Sequence, residues 1–188
     1  MKLLALALTL ALSPLTLPAQ QATATHTPLQ SVQDAAPMPA KPPVPPSRFL
    51  TVVFQGHATV FTVEELLKLP QVTLHVHNAH RNKDEEYTGP LVSEVLAHAG
   101  LSPAHENEAL ILHSSVVATA TDHYFVVYSA AELEPAFSSG QSIVAVMKSG
   151  LPDSEGGNIQ LINTVDVKPA RWIHGLTTLD VMTMSQNK

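Results

Sequence analysis

The sequence contains no cysteine, only nine aromatic residues, ten lysines and arginines, and no apolar run long enough for a membrane-crossing helix. The absence of cysteine excludes disulfides, thiolate nucleophiles, iron–sulfur ligation and every metal site that needs sulfur. The scarcity of basic residues is uneven: residues 51–188 carry 7 Lys and Arg against 15 Asp and Glu, a net of −8, whereas residues 1–50 carry 3 against 1. An acidic domain repels a phosphate backbone, so nucleic acid is not an expected partner. What remains is a chain of 188 residues, 45% hydrophobic, with 15 prolines. That length supports one domain with a real core and is too short for two substantial ones.

The longest apolar stretch lies at the start. Lys2 precedes a run from Leu3 to Leu12 made of Leu, Ala and one Thr, closed by Ser13-Pro14. A bilayer needs about 20 such residues in a helix, so the run reads as the apolar region of a secretory signal. Small residues place cleavage after Ala19 or after Ala24, which predicts a signal peptide over residues 1–24 and a periplasmic or secreted bacterial protein. No cysteine follows to take a lipid, so no membrane anchor is expected after cleavage. Residues 25–48 form the next segment, in which Ala35 to Ser47 holds six prolines in thirteen residues. Proline removes backbone donors and favours extended polyproline II, the composition of a disordered tether.

From Phe49 the pattern changes to that of a folded domain, expected over residues 49–182, with a flexible tail over 183–188. Leu50 to Phe54 and Ala58 to Phe61 predict a hairpin around Gln55-Gly56-His57. Thr62 is placed to cap a short helix with Glu65 as reciprocal partner. Val72 to Val76 alternates as a strand, and a polar, charged stretch follows from His77 to Glu86. Tyr87 to Pro90 reads as a turn, and Leu91 to Ala99 as a helix with Gly100 as its C-cap. Leu110 to Leu112, Val116 to Ala118, His123 to Tyr128 and Ser142 to Met147 read as strands, Ser129 to Leu133 as a helix start, Leu151 to Gly157 as a hairpin loop, and Trp172 to Met182 as one closing strand. The balance predicts an α+β domain.

Three segments resemble the oxidoreductase molybdopterin-binding domain family, the fold of sulfite oxidase and its bacterial relatives. Tyr87 to Leu96 is similar to that family's aromatic-x-Gly-x-x-Leu-x-x-x-Leu segment. Val72 to Arg81 resembles the strand and loop that carry the molybdenum-ligating cysteine and an Asn/Arg-rich turn. Lys168 to Ile173 is similar to the basic segment before the terminal strand. The resemblance implies a mixed β-sheet or barrel-like core with short helices. It also implies a cofactor-facing set of Asn78, Arg81, Lys168 and Arg171, the last two toward a pterin and its phosphate. Val76 stands at about the register of the family's cysteine and has no ligand atom. The expected function is therefore a binding module for a small molecule or an exported protein partner, without a molybdenum centre and with no cofactor required.

Two alternatives stand beside it: an oxidoreductase-related protein that keeps molybdopterin, and a histidine-based zinc- or copper-binding protein. For the last, His75 and His77 lie two apart on one strand face and His80 is near enough in sequence to return to them, with Asp84, Glu85 and Glu86 as oxygen donors. The competing reading of that stretch is a solvated surface. Trp172 has a structural alternative too, packing in the core while Arg171 pairs with Asp166 or Asp180. No hydrolytic triad pattern surrounds Ser114-Ser115, and Gly156-Gly157 lacks the lysine and the strand-to-helix setting of a phosphate loop.

Overall fold

The computed structural model describes residues 44–185. The expected signal peptide, its cleavage sites, most of the proline-rich tether and residues 186–188 lie outside the described residues.

Strict alternation of buried Leu50, Val52 and Phe54 with less buried neighbours makes Phe49–Phe54 a strand (β1), and it pairs antiparallel with His57–Thr62 (β2). Gln55 and Gly56, both at positive φ, turn the chain between them. Thr62 caps Val63–Lys68 (α1): its hydroxyl accepts from the Glu65 N–H, and the Glu65 carboxylate accepts from the Thr62 N–H. The hairpin Val72–Asn78 (β3) and Lys83–Gly89 (β4) leads into Val92–His98 (α2), which ends at Gly100 with φ +104. Glu108–Leu112 (α3), Ser114–Ala120 (β5), Phe125–Ser129 (β6) and Ala130–Leu133 (α4) follow, then the short strands Ser142–Ala145 (β7), Met147–Lys148 (β8), Leu151–Pro152 (β9), Gln160–Asn163 (β10), Ile173–His174 (β11) and the long Leu176–Thr183 (β12). Among the described residues no helix is long and apolar enough to cross a membrane.

These strands form three open sheets, β2-β1-β12-β5-β6, β11-β10-β7 and β3-β4-β8-β9. The expectation of an α+β domain with a mixed sheet holds, since β1 runs parallel to β12 and antiparallel to β2. The barrel-like part of that expectation does not, because among the described residues no sheet closes on itself. The main core packs the inner face of the five-stranded sheet (Leu50, Val116, Leu179) against α2, whose Val95 and Leu96 are buried. A second, smaller core gathers Leu74, Tyr87, Ile143, Ala145, Ile162 and Trp172.

Several elements differ from the sequence-based expectation. Leu110 to Leu112 is the end of α3, with Ile111 buried and Leu112 half exposed; three apolar residues are too few to reveal a period. Tyr87 to Gly89 is strand, not turn, and the charged stretch before it supplies the rest of β4. The glycine there serves a close approach: a Cβ on Gly89 would lie 1.9 Å from the Val144 carbonyl oxygen. The apolar run of Ser142 to Met147 divides between β7 and β8 in different sheets, and the closing strand breaks at Gly175, φ +66, into β11 and β12. The folded contacts also begin earlier than residue 49. Ser47 is buried and gives its N–H and hydroxyl to the Gly157 carbonyl at 2.9 and 2.7 Å, and Thr121 donates to the Pro45 carbonyl at 2.6 Å.

Candidate functional site

A cleft of about 490 Å³ opens where the loops of the three sheets meet. Asn78, His80 and Arg81 come from the β3–β4 turn, Asp122 and Tyr124 from the β5–β6 turn, Trp172 and His174 from the segment entering β11, and Glu155 and Val44 close the rim. The second core lies directly beneath through Trp172, whose indole N–H donates to the Asn163 carbonyl at 2.9 Å. With that donor satisfied internally, the tryptophan lines the cleft floor as a buried side chain, 4% exposed. Tyr124 ties two walls together by donating its hydroxyl to the Ala170 carbonyl.

The β3–β4 turn is held by a buried carboxylate. Alternation along β4 turns Glu85, Tyr87 and Gly89 inward and leaves Asp84, Glu86 and Thr88 on the outer side. Glu85 then accepts from the Lys148 ammonium at 2.7 Å, the Asn78 amide at 2.7 Å and the Tyr87 hydroxyl at 2.9 Å, with the Arg81 guanidinium at 3.4 Å. Burial alone would raise the Glu85 pKa, but the hydrogen bonds from Lys148, Asn78 and Tyr87 outweigh it and hold the carboxyl at about 2. Burial, then Glu85, push the Tyr87 phenol up. Asn78, fixed by Glu85 through its amide nitrogen, uses its side-chain oxygen to accept the N–H groups of His80 at 3.1 Å and Arg81 at 3.2 Å. The chain of support runs from Glu85 through Asn78 to the two cationic or titratable side chains at the cleft wall. Across the cleft, burial first and the Arg81 charge second lower the His174 pKa, so its imidazole is neutral near pH 7 and able to donate or accept.

Of the residues singled out by sequence, Asn78, His80 and Arg81 line this cleft. Lys168 is exposed and Arg171 stands apart from the lining. The Arg171 guanidinium bonds Glu132, lies 3.3 Å from Asp166 and sits 4.5 Å above the centre of the Tyr128 ring, while Tyr128 donates to the Arg171 carbonyl. Glu132 also accepts the Ser129 N–H at the start of α4, so Arg171 braces that helix against β11. The structural alternative therefore describes this corner, with Glu132 joining Asp166 where Asp180 was the other choice. His75 and His77 point from the outer face of β3, and among the described residues no three His, Asp or Glu side chains form a metal-holding group.

Glu85, expected in a solvated or oxygen-donor run, is buried at 5% exposure. The signal for it was period-two alternation with the apolar Tyr87. His174, Tyr124, Asp122 and Glu155 carried no motif; loops from distant parts of the chain bring them together.

The donors present differ from those of the molybdenum centre in the family's catalytic members. Val76, opposite Glu85 in the β3–β4 register, packs against the second core and offers no ligand atom. No cysteine exists elsewhere to replace it, and the guanidinium expected at a pterin phosphate is committed to Glu132 and Asp166. These residues do not fit a thiolate-ligated molybdenum cofactor.

No family model matches the chain, and no curated protein matches it. Among solved structures it is similar to the sulfane dehydrogenase SoxCD from Paracoccus pantotrophus, at 16% identity over 71% of this chain, with a TM-score of 0.54. The match spans 37% of that chain, so the likeness is one of fold over a part of a longer enzyme.

Proposed function

We propose that this is an exported small-molecule binding module on a sulfite-oxidase-like scaffold, which takes its ligand in the cleft at the β3–β4 turn. The observation that carries the reading is the cleft itself. Its volume of about 490 Å³ suits a small organic molecule, and Arg81 is its strong cation, held by a buried carboxylate on one side and half exposed on the other. Lys148 already takes the near oxygen of Glu85 at 2.7 Å, whereas Arg81 reaches it at 3.4 Å. Most guanidinium donors thus remain for an acidic group on a ligand. Asp122 and Glu155 favour a donor or cationic group at the other end, and the exposed Tyr124 ring favours a flat apolar part between. The apolar run at Leu3 to Leu12 supports export.

Trp172 is the sole tryptophan of the chain and lines the cleft, so it reports on occupancy. Full-length mature protein is titrated with a panel of small carboxylates, amino acids and planar heterocyclic acids while Trp172 emission is followed. Saturable quenching or shift by at least one of them, weakened tenfold or more in Arg81→Ala, is the expected result. An unchanged emission across the panel at millimolar concentration, together with no small molecule extracted from protein purified from its native compartment, overturns the reading.

A further inference from the structure

We propose that the outer face of the β3–β4 hairpin is a two-imidazole site for a divalent late transition-metal ion, copper(II) foremost, built from His75 and His77 with Asp84 as the orienting partner of His77. The antiparallel register sets His75 directly opposite Glu86 and His77 directly opposite Asp84. Both histidines share one face because side chains two apart on a strand do, and that face is open: the His75 and His77 side chains are 77% and 57% exposed. In each pair the carboxylate addresses the same ring atom. Asp84 lies 2.7 Å from the His77 Nδ1, and Glu86 lies 3.7 Å from the His75 Nδ1.

An imidazole whose Nδ1 donates to a carboxylate presents Nε2 as its free lone pair, the arrangement that supports metal-ligating histidines. Here His77 has that carboxylate at 2.7 Å, and His75, with Glu86 at 3.7 Å, stands about 7 Å along the strand. His75, whose Nδ1 is 3.7 Å from Glu86, can turn about χ1 and χ2 to bring its Nε2 toward an ion at the His77 Nε2, at the ~2.0–2.1 Å that metal–imidazole bonds require. Water would complete the coordination. The chemistry of the donors selects the ion: two neutral nitrogens without sulfur suit copper(II), nickel(II) and zinc(II), and copper(II) leads that series in affinity. The site owes nothing to the cleft, since β3 turns Asn78 to one face and His75 and His77 to the other.

Copper(II) itself is the probe. Full-length mature protein, its His75→Ala/His77→Ala variant and a His98→Ala variant are dialysed against micromolar copper(II), and bound metal and the electron paramagnetic resonance spectrum are recorded. His98 is a matched control, because its Nδ1 lies 3.6 Å from Glu94 on a helix and no other histidine stands within four residues of it in sequence. The expected outcome is one equivalent fewer of bound copper in the double variant, loss of a spectral component with nitrogen superhyperfine splitting from two imidazoles, and no such loss in His98→Ala. Asp84→Asn should retain the component and weaken binding by about tenfold. Equal copper content and identical spectra in wild type and the double variant overturn the proposal, as does an equal loss in His98→Ala. Circular dichroism of the double variant should match wild type, since both side chains are exposed; a lost fold with a lost signal is resolved by Asp84→Asn, whose unchanged affinity would count against the site.

Discussion

Two charged knots in this molecule are built as opposites. At the β3–β4 turn one carboxylate, Glu85, sits among two cations, Lys148 and Arg81; at the start of α4 one guanidinium, Arg171, sits among two carboxylates, Glu132 and Asp166. Each uses a buried tyrosine. Lys148 stands 5.2 Å from the centre of the Tyr87 ring, and Arg171 stands 4.5 Å from that of Tyr128. Yet only the first borders the cleft, because its surplus charge, Arg81, is at the open end, while the second spends its cation inside. A basic residue beside an aromatic one in sequence does not tell which of these it serves. The partners on other elements decide.

The comparison breaks most readily at Glu85. Glu85→Ala leaves the largely buried Lys148 ammonium and the Tyr87 hydroxyl without their acceptor, and should cost about 3–5 kcal/mol in denaturant unfolding. A loss below 1 kcal/mol would mean that the knot contributes little.

Acid tests the same carboxylate. The folded-state pKa of Glu85 is depressed from 4.5 to about 2, so its contribution is complete above 4.5 and is lost as the pH falls from there toward 2, on the order of 3 kcal/mol in all. His174, also depressed, adds a loss that starts below its ordinary value of 6.5. Thermal unfolding followed from pH 7 to 2.5 should show an early shallow decline and a later steep one, and Glu85→Gln should remove the steep part while starting from lower stability.

For the opposite knot, Arg171→Met should destabilise by about 1–2 kcal/mol through lost stacking on Tyr128 and unpaired Glu132. Ligand-induced changes in Trp172 emission should stay as in wild type; a tenfold loss of affinity would return Arg171 to the cleft. Arg81→Ala is expected to have the smallest effect on stability, within about 0.5 kcal/mol because the pair is half exposed, and the largest on binding. Calorimetry and the fluorescence titration on the same sample separate the two.

The local chemistry of this fold was readable where short-range rules act. Thr62 with Glu65, Gly100 after α2, and the alternation of β1 and β3 all specify their own geometry from adjacent residues. Legibility failed where a backbone contact from another element rules. Gly89 marks a turn by composition, but its lack of a side chain admits the Val144 carbonyl; Gly175 interrupts an apolar run because Thr121 and Pro45 lie against it. The cleft shows the same division. Asn78, His80 and Arg81 share one turn and each is legible in the sequence, Asn78 and Arg81 as a cofactor-facing pair and His80 as a metal donor, whereas His174 and Tyr124 reach the cleft from turns 50 residues apart. Glu85 was hidden by its acidic neighbours, since composition gives three carboxylates in a row one character and a strand gives them two.

The four residues from Val44 to Ser47 set a mechanical property of the domain. Pro45 is bonded to Thr121, Ser47 to Gly157 and Asn158, and Gly175 lies against Val44 and Pro45. These anchor points belong to the same loops that carry Tyr124, Glu155 and His174. A pull on the chain ahead of Val44 therefore loads the hydrogen bonds that hold the walls of the cleft before it loads either core. Tension applied at Val44 would be felt first as a change in the shape of the cleft, with the sheets still intact.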